Sequence, residues 1–199
     1  AHTTAEDQRS HFPLEALRIL AERGAIGALG PRFHGLPTDR SQRTTMEVHC
    51  PEIVARCKAD GVDAVVLAAN CPVCHQSVAL AARALEEAGI ATIVMGCAKD
   101  LVEHIGVPRF LFSDFPLGNA AGRPNDPASQ LETAELAVRL LADAREPRTT
   151  IRSPLKWQGA VDWKLDYCNA DRLSPEELAA RRREFDRGKS EAKEARQTG

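Results

Sequence analysis

Short apolar segments rich in β-branched residues alternate with longer segments of helical periodicity, and this alternation constrains the fold more than any other feature. The apolar runs cover 62–69, 90–96 and 109–113. Helical spacing of apolar residues recurs in 12–24, 46–59, 73–88, 99–105 and 131–141. Strands that are apolar on both faces, joined by helices, are typical of βαβ units. We therefore predict an α/β fold, a three-layer sandwich with a mostly parallel sheet in which 62–69 lies centrally.

The alternation stops beyond Pro147, where proline, tryptophan and polar residues take over. We predict an α/β domain over 1–147, followed over 148–199 by an irregular extended tail and a charged terminal helix. Ser174-Pro175-Glu176-Glu177 has the serine, proline and glutamate of a capping box, so the terminal helix should begin there. Because three strands make a thin sheet, we also expect a missing upstream segment, a homo-oligomer, or both.

Composition excludes several classes of protein. A net charge of −2 provides no basic field for nucleic acid, and no apolar run approaches the roughly 20 residues that cross a bilayer. Six cysteines in 199 residues are too few for a disulfide scaffold, so reduced thiols in the cytoplasm are expected. The chain is predicted to act on a small molecule, without nucleic acid or membrane as partner.

Reactive and polar residues follow all three predicted strands. The carboxyl ends of parallel strands meet at one edge of the sheet, where helix N-termini point into a crevice that commonly binds ligands. The sequences at those ends are Asn70-Cys71-Pro72-Val73-Cys74-His75, Gly96-Cys97-Ala98-Lys99-Asp100 and Ser113-Asp114-Phe115-Pro116-Leu117-Gly118-Asn119. Three strand ends of this kind predict a functional site at this edge.

Cys71 and Cys74 form a Cys-x-x-Cys pair at the predicted start of a helix. Unpaired backbone N–H groups and the helix dipole favour a thiolate there, and a sulfur one turn away can resolve an adduct as an intramolecular disulfide. Both cysteines are therefore candidate catalytic residues of a thiol-dependent reductase. His75 is a candidate to orient or protonate, with a surface helix histidine as the alternative, and Cys97 is a further candidate beside the first site.

Substrate contacts are predicted from Asn70 and from the loop after the third strand. Its glycines and amides suit close approach to an anionic or zwitterionic substrate. The loop residues in question are Asp114, Phe115, Pro116, Leu117, Gly118 and Asn119.

Other interpretations of the same cysteines stay open. Cys-x-x-Cys-His formally matches a haem attachment sequence, although that chemistry requires export. A zinc site needs further ligands, which His49, Cys50, Cys57 or Cys97 would have to supply, yet no second ligand pair is present. We therefore expect no bound metal. Cys50 and Cys57 are better explained as buried helix residues, and Cys168 as a tail residue. Two alternative functions stay open. One is a cofactor-independent racemase or decarboxylase with Cys71 and Cys97 as acid and base. The other is a non-catalytic metal-binding subunit.

A series of segments resembles the selenoprotein B components of glycine, sarcosine and betaine reductase and the related D-proline reductase subunit. The segments keep their order over about residues 7–143. They are Asp7, His11-Phe12-Pro13-Leu14-Glu15-Ala16-Leu17, Gly24-Ala25-Ile26-Gly27, Pro51-Glu52-Ile53, Asp60-Gly61-Val62-Asp63-Ala64-Val65, Ala88-Gly89-Ile90, Val107-Pro108-Arg109 and Phe115-Pro116-Leu117-Gly118. Cys71 and Cys74 stand where the family places selenocysteine and cysteine.

The resemblance implies a reductase component that breaks a carbon–nitrogen bond of a small amino-acid-like substrate. It also implies a partner reductase subunit that carries a carbonyl cofactor, while this chain binds none and is regenerated by an external dithiol. The chain departs from the family in having cysteine in place of selenocysteine and a compact Cys-Pro-Val-Cys-His loop. Which of Cys71 and Cys74 is the nucleophile therefore stays open.

Overall fold

The computed structural model describes residues 6–38, 40–166 and 173–197. The chain divides into two compact units after Gly159. Cys168 lies outside the described residues, and the domain boundary predicted after residue 147 stays a prediction.

The first unit contains four described strands and the helices that connect them. The strands are β1 Ala64–Ala68, β2 Ala91–Gly96, β3 Arg109–Phe112 and β4 Thr149–Arg152. The helices are α1 Gln8–His11, α2 Leu14–Glu22, α3 Gln42–Thr44, α4 Cys50–Ala59, α5 Pro72–Glu87, α6 Lys99–Ile105 and α7 Pro127–Asp143, with a π-helical turn over Thr45–His49 before α4. The strands and helices predicted between residues 12 and 141 are all present.

All four described strands are parallel and pair in the order β1-β2-β3-β4. The prediction that the first strand lies centrally is wrong, because β1 is at an edge and Ala64 is exposed. A continuous apolar run shows only that both faces of a strand are covered, and it carries no information about pairing. The interior positions belong to β2 and β3, and the β2 residues Ile93, Val94 and Met95 are fully buried.

Helices cover both faces of the sheet, which confirms the predicted three-layer α/β architecture. On one face Val94 and Phe110 pack against α4, α5 and α6. On the other face Ile93, Met95 and Leu111 pack against α7. Side chains alternate between the faces along each strand, so each strand contributes to two apolar cores.

The fourth strand lies within the segment predicted to be an irregular tail. Thr149-Thr150-Ile151-Arg152 contains one apolar residue, and Ile151 is 43% exposed. As an edge strand, β4 is specified by its pairing with β3 and hardly at all by burial. Its sequence therefore lacks the apolar signal that marked the other three.

The second unit contains the helices α8 Trp163–Asp166 and α9 Pro175–Gln197. The capping box predicted at the start of α9 is confirmed. The Glu177 N–H donates to Ser174 Oγ at 3.2 Å, and the Ser174 N–H donates to Glu177 Oε2 at 2.9 Å. None of the described helices is both long enough and apolar enough to cross a bilayer.

Candidate functional site

The carboxyl edge of the sheet brings three polar side chains into one row. The Ala69 N–H donates to the Met95 carbonyl and the Ser113 N–H donates to the Gly96 carbonyl, so pairing continues one residue past the strands. In this register Asn70, Cys97 and Ser113 are neighbours on adjacent strands. Two-residue alternation puts Cys97 on the same face as Met95, which is the face covered by α7. We call Asn70, Cys97 and Ser113 the strand-end row.

Cys71 and Cys74 are joined by a disulfide at the start of α5. Cys71 is the N-cap residue, and its Sγ accepts the Cys74 N–H at 3.2 Å, while Pro72 occupies the first turn. Both cysteines are partly exposed. The expectation of reduced thiols is therefore wrong for this pair, which is in its oxidised form, and the predicted intramolecular disulfide is the bond observed.

His75 is fully buried and joins the ends of β1 and β2. Its Nδ1 lies 2.7 Å from the Cys71 carbonyl oxygen, and its Nε2 accepts the backbone N–H groups of Cys97 at 2.9 Å and Ala98 at 3.1 Å. A carbonyl can only accept, so Nδ1 carries the proton and the imidazole is neutral. Burial lowers the His75 pKa, which favours this neutral form.

Of the interpretations of His75 made from the sequence, these contacts leave the one in which it orients other groups. The residue is not a surface histidine, and neither ring nitrogen is available to exchange a proton with a substrate. Gly96 makes the arrangement sterically feasible, because a Cβ at that position would lie 2.7 Å from the His75 ring. His75 is therefore placed to position Cys71 and Cys97 through the backbone.

Cys97 is a partly exposed free thiol held by the loop after β3. Desolvation raises the pKa of Cys97 to about 12, although backbone N–H groups of Asn119 and Phe115 oppose this rise. The negative charge of Asp114 contributes to the rise. At neutral pH Cys97 is thus a protonated thiol, unsuited to be a base or a first nucleophile.

The loop predicted to contact substrate turns most of its side chains inward. Phe115 is buried and packs on the Trp157 ring with centroids 5.5 Å apart, and the Asn119 Nδ2 donates to the Pro116 carbonyl at 3.0 Å. Leu117 and Gly118 are also buried. Asp114 is partly exposed, and its carboxylate accepts from Arg152 at 2.6 Å. The structure thus shows this loop supporting Cys97 from inside the protein.

The N-terminal segment reaches the same edge, which sequence reasoning missed apart from the resemblance of Asp7 and His11 to the reductase family. The His11 Nδ1 contacts the Gly118 carbonyl, and the His11 carbonyl accepts the Asn70 Nδ2 at 3.2 Å. The buried Asp7 carboxylate accepts the Asn125 N–H and the Gln130 side chain, both at 2.8 Å. The segment therefore fastens the loop after β3 to the end of β1.

Two buried polar atoms of the strand-end row have no hydrogen-bond partner among the described residues. They are the Asn70 Oδ1 and the Ser113 Oγ. Asn70 donates through its Nδ2 to the His11 carbonyl, so Oδ1 is the amide atom left without a partner. Buried polar atoms are nearly always satisfied in proteins, and no described protein group satisfies these two.

The other cysteines do not join this site. Cys50 and Cys57 are buried in the core between α4 and α5, as predicted, and desolvation raises the pKa of both thiols. Within the described part of the chain, no group of three or more histidine, cysteine, aspartate or glutamate side chains is arranged to hold a metal. The residues considered as zinc ligands therefore do not assemble into a centre.

Comparison with known proteins identifies relatives that match most of the chain. It is 38% identical over 157 residues to the D-proline reductase subunit gamma of Acetoanaerobium sticklandii, covering 78% of this chain and 65% of that protein. The chain is thus similar over most of its length to a subunit of a D-proline reductase. Two further relatives are the glycine reductase complex component B subunits gamma of Peptoclostridium acidaminophilum and Carboxydothermus hydrogenoformans, 25% and 26% identical over 148 residues. These matches confirm the resemblance stated above.

The homology has a defined extent. The chain spans 65% of the D-proline reductase subunit and 34% of each glycine reductase subunit. No family model matches the chain, and no solved structure matches it.

Proposed function

We propose that this chain is a subunit of an amino-acid reductase complex in which Cys71 and Cys74 reductively cleave a carbon–nitrogen bond. The single observation that carries the proposal is the disulfide between these cysteines at the start of α5, in a chain homologous to D-proline and glycine reductase subunits. A disulfide at a helix N-terminus is the oxidised product that such a reaction would leave.

Reduced Cys71 is the proposed nucleophile. Cys71 is the N-cap residue of a helix of 16 residues, and its sulfur accepts the Cys74 N–H. Both the helix dipole and this hydrogen bond stabilise negative charge on the sulfur. The thiolate attacks the substrate carbon, a C–S bond forms, and the C–N bond breaks as the nitrogen takes a proton. Cys74 lies one turn into the helix, within bonding reach of Cys71.

Cys74 completes the reduction in this proposal. Its thiolate attacks the Cys71 sulfur, the C–S bond breaks, and the carbon leaves with the electron pair and takes a proton. The substrate gains two electrons and two protons, and the two thiols become the disulfide. An external dithiol then reduces the pair for the next turnover. In this proposal Cys97 assists as a protonated thiol at the end of β2, and His75 holds the backbone of Cys71 and Cys97.

The proposed reaction also requires partners of this chain. A partner reductase subunit would carry a carbonyl cofactor that binds the substrate amine, with the assembly in the cytoplasm. Asn70 would border the substrate. The loop from Asp114 to Asn119 would contribute to the substrate site chiefly by supporting Cys97. The open edge of β1 is consistent with a homo-oligomer.

The two alternative functions receive less support. A racemase using Cys71 and Cys97 needs one of them as a base, whereas burial raises the pKa of Cys97 to about 12. A metal-binding subunit needs free ligands, whereas Cys71 and Cys74 are bonded to each other.

Replacing each cysteine in the complex co-purified with the chain tests the proposal. Cys71→Ser should abolish turnover of D-proline or glycine with a dithiol. Cys74→Ser should stop at the covalent adduct, which peptide mass spectrometry would find on Cys71. Cys57→Ala, which removes a buried thiol, is the matched control and should keep turnover. Full activity of Cys71→Ser, or solvent deuterium incorporation into a chiral acid without reductant, would contradict the proposal.

A further inference from the structure

Cys71 and Cys74 are partly exposed at the start of α5 and lie outside the two principal cavities of the described residues. One cavity is lined by α6, β3 and β4, and the other by the loop before α7 and by residues 157–159. Small-molecule sites are concave and bury most of the ligand, whereas neither cysteine lines either cavity. A second polypeptide seated over the pair would supply walls that these cavities do not.

An exposed aromatic ring lies beside the cysteine pair. Phe33 is 69% exposed, and its ring packs on Phe12 with centroids 5.7 Å apart. The residue before Phe12 is His11, whose carbonyl accepts the Asn70 Nδ2 at 3.2 Å. Because Asn70 directly precedes Cys71, this series of contacts places the two rings next to the start of α5.

The π-helical turn before α4 presents two further apolar side chains, Met46 and Val48, which are each 54% exposed. Such turns are rare and occur frequently at functional sites. Helix α4 leads through a short turn into the amino end of β1, so its own beginning and the π-helical turn lie toward the carboxyl edge of the sheet. The π-helical turn contacts α5, which starts at that edge. Met46 and Val48 therefore border the region in which α5 begins.

Exposed large apolar side chains are concentrated in this part of the chain. Of the seven among the described residues, four fall within 29–48. Exposed apolar patches mark interaction sites, and phenylalanine and methionine are enriched at protein interfaces. We call Phe12, Phe33, Met46 and Val48 the apolar rim. Its composition is typical of a surface that binds another protein.

We propose that the apolar rim binds another subunit of the reductase complex and that this subunit completes the substrate site over Cys71 and Cys74. The inference rests on the proposed function for the reaction at the cysteine pair and adds the surface on which the partner is seated. Three relatives are by name subunits of D-proline or glycine reductases. A different subunit fits the rim better than a second copy, because a two-fold contact would place two identical cysteine pairs against each other.

Binding of the chain to the remaining subunits of the co-purified complex tests the rim. Phe33→Ser and Met46→Ser should each weaken this binding about tenfold or more in biolayer interferometry, because truncating an anchor side chain at an interface commonly has that effect. Ile151→Ser is the matched control, since Ile151 is 43% exposed on β4 at the opposite edge of the sheet, and it should bind as the unchanged chain does. All three variants should keep the urea midpoint of the unchanged chain, because each replaced side chain is exposed.

Alkylation of the reduced chain reports whether the partner covers the cysteine pair. Iodoacetamide should label Cys71 about tenfold or more slowly once the other subunits are bound, because thiol reactivity depends on access to the sulfur. At the same subunit concentration, Phe33→Ser should recover most of the labelling rate of the free chain. Ile151→Ser should be protected as the unchanged chain is.

Several outcomes would overturn the inference. They are undiminished binding by Phe33→Ser and Met46→Ser, equal labelling of Cys71 in the free and bound chain, and no binding of the unchanged chain to the other subunits. Light scattering that shows a dimer of the chain alone, converted to a monomer by Phe33→Ser, would assign the rim to a second copy and also overturn it.

The same measurements separate the rim from the thiol mechanism. Assembly that depends on the rim, in a complex whose Cys71→Ser variant still turns over, would leave the interface standing and reject the mechanism. Undiminished assembly of the rim variants, with turnover lost in Cys71→Ser, would do the reverse.

Discussion

Replacing His75 by leucine should destabilise the protein, because one side chain binds three backbone groups at the strand ends. Leucine would leave the N–H groups of Cys97 and Ala98 without their partner, whereas the Cys71 carbonyl would keep the backbone N–H of residue 75. Each orphaned buried group costs about 1–3 kcal/mol, and partial access of water near Cys97 reduces the total. We expect a loss of about 2–4 kcal/mol in the free energy of unfolding, or about 10 °C in melting temperature for a chain of this size.

Equilibrium unfolding in urea, followed by circular dichroism, would measure this loss. His75→Gln is the matched variant, since its side-chain oxygen can replace Nε2 as acceptor, and it should recover about half of the loss. The dependence of unfolding free energy on urea should keep its slope if the native fold is retained. A loss below about 1 kcal/mol for His75→Leu would refute the argument that these three hydrogen bonds hold the strand ends together.

The pH dependence of the unfolding free energy provides a second test of the role of His75. Burial lowers the His75 pKa, so between the unfolded value of 6.5 and the lower folded value only the unfolded chain binds a proton. Stability contributed by neutral His75 is therefore complete above pH 6.5 and decreases as the pH falls, by at most about 1.4 kcal/mol per pH unit. The stability difference between the unchanged chain and His75→Gln should accordingly narrow from pH 7 to pH 5.

Three further predictions follow from the site and its supports. Gly96→Ala should lower the unfolding free energy by about 1–3 kcal/mol, because its Cβ would meet the His75 ring at 2.7 Å, whereas Gly27→Ala meets no atom within 4 Å and should be neutral in the same urea titration. Hydrogen bonding by Arg9 lowers the Asp7 pKa from 3.8, so Asp7→Asn should lose about 1–2 kcal/mol at neutral pH, a deficit that closes as the pH falls below 3.8. Without reductant, iodoacetamide at pH 8 should label Cys97 only slowly. After mild reduction, peptide mapping should show rapid labelling of Cys71 and no labelling of the buried Cys50 and Cys57. Fast labelling of Cys50 would contradict the buried core.

The fold was predictable from sequence where burial and pairing coincide. Strands β2 and β3 are apolar because both faces are covered, and the helices between them show their buried positions by spacing. The two edge strands do not follow this relation between apolar sequence and interior position. β1 has an apolar sequence although it lies at an edge of the sheet, and β4 has a polar sequence although it pairs with β3 over its whole length.

The site was predictable at the level of the sheet edge and the cysteine pair. Parallel topology brings the carboxyl ends of β1 and β2, and with them Asn70 and Cys97, to one edge of the sheet, and Cys71 precedes the predicted start of α5. The burial of Phe115 and Asn119 was not predictable, because a loop rich in glycine and amides has the same composition whether it faces a substrate or supports a thiol. The burial of the Ser113 hydroxyl without a described partner also needed the structure, since it has no sequence signal.

The most direct test of the central claim is a single turnover by the reduced complex after removal of excess dithiol. Product and protein thiols would be quantified together, and the disulfides assigned by peptide mass spectrometry. We expect one Cys71–Cys74 disulfide to form for each carbon–nitrogen bond cleaved. Product formed while Cys71 and Cys74 both stay reduced would contradict it.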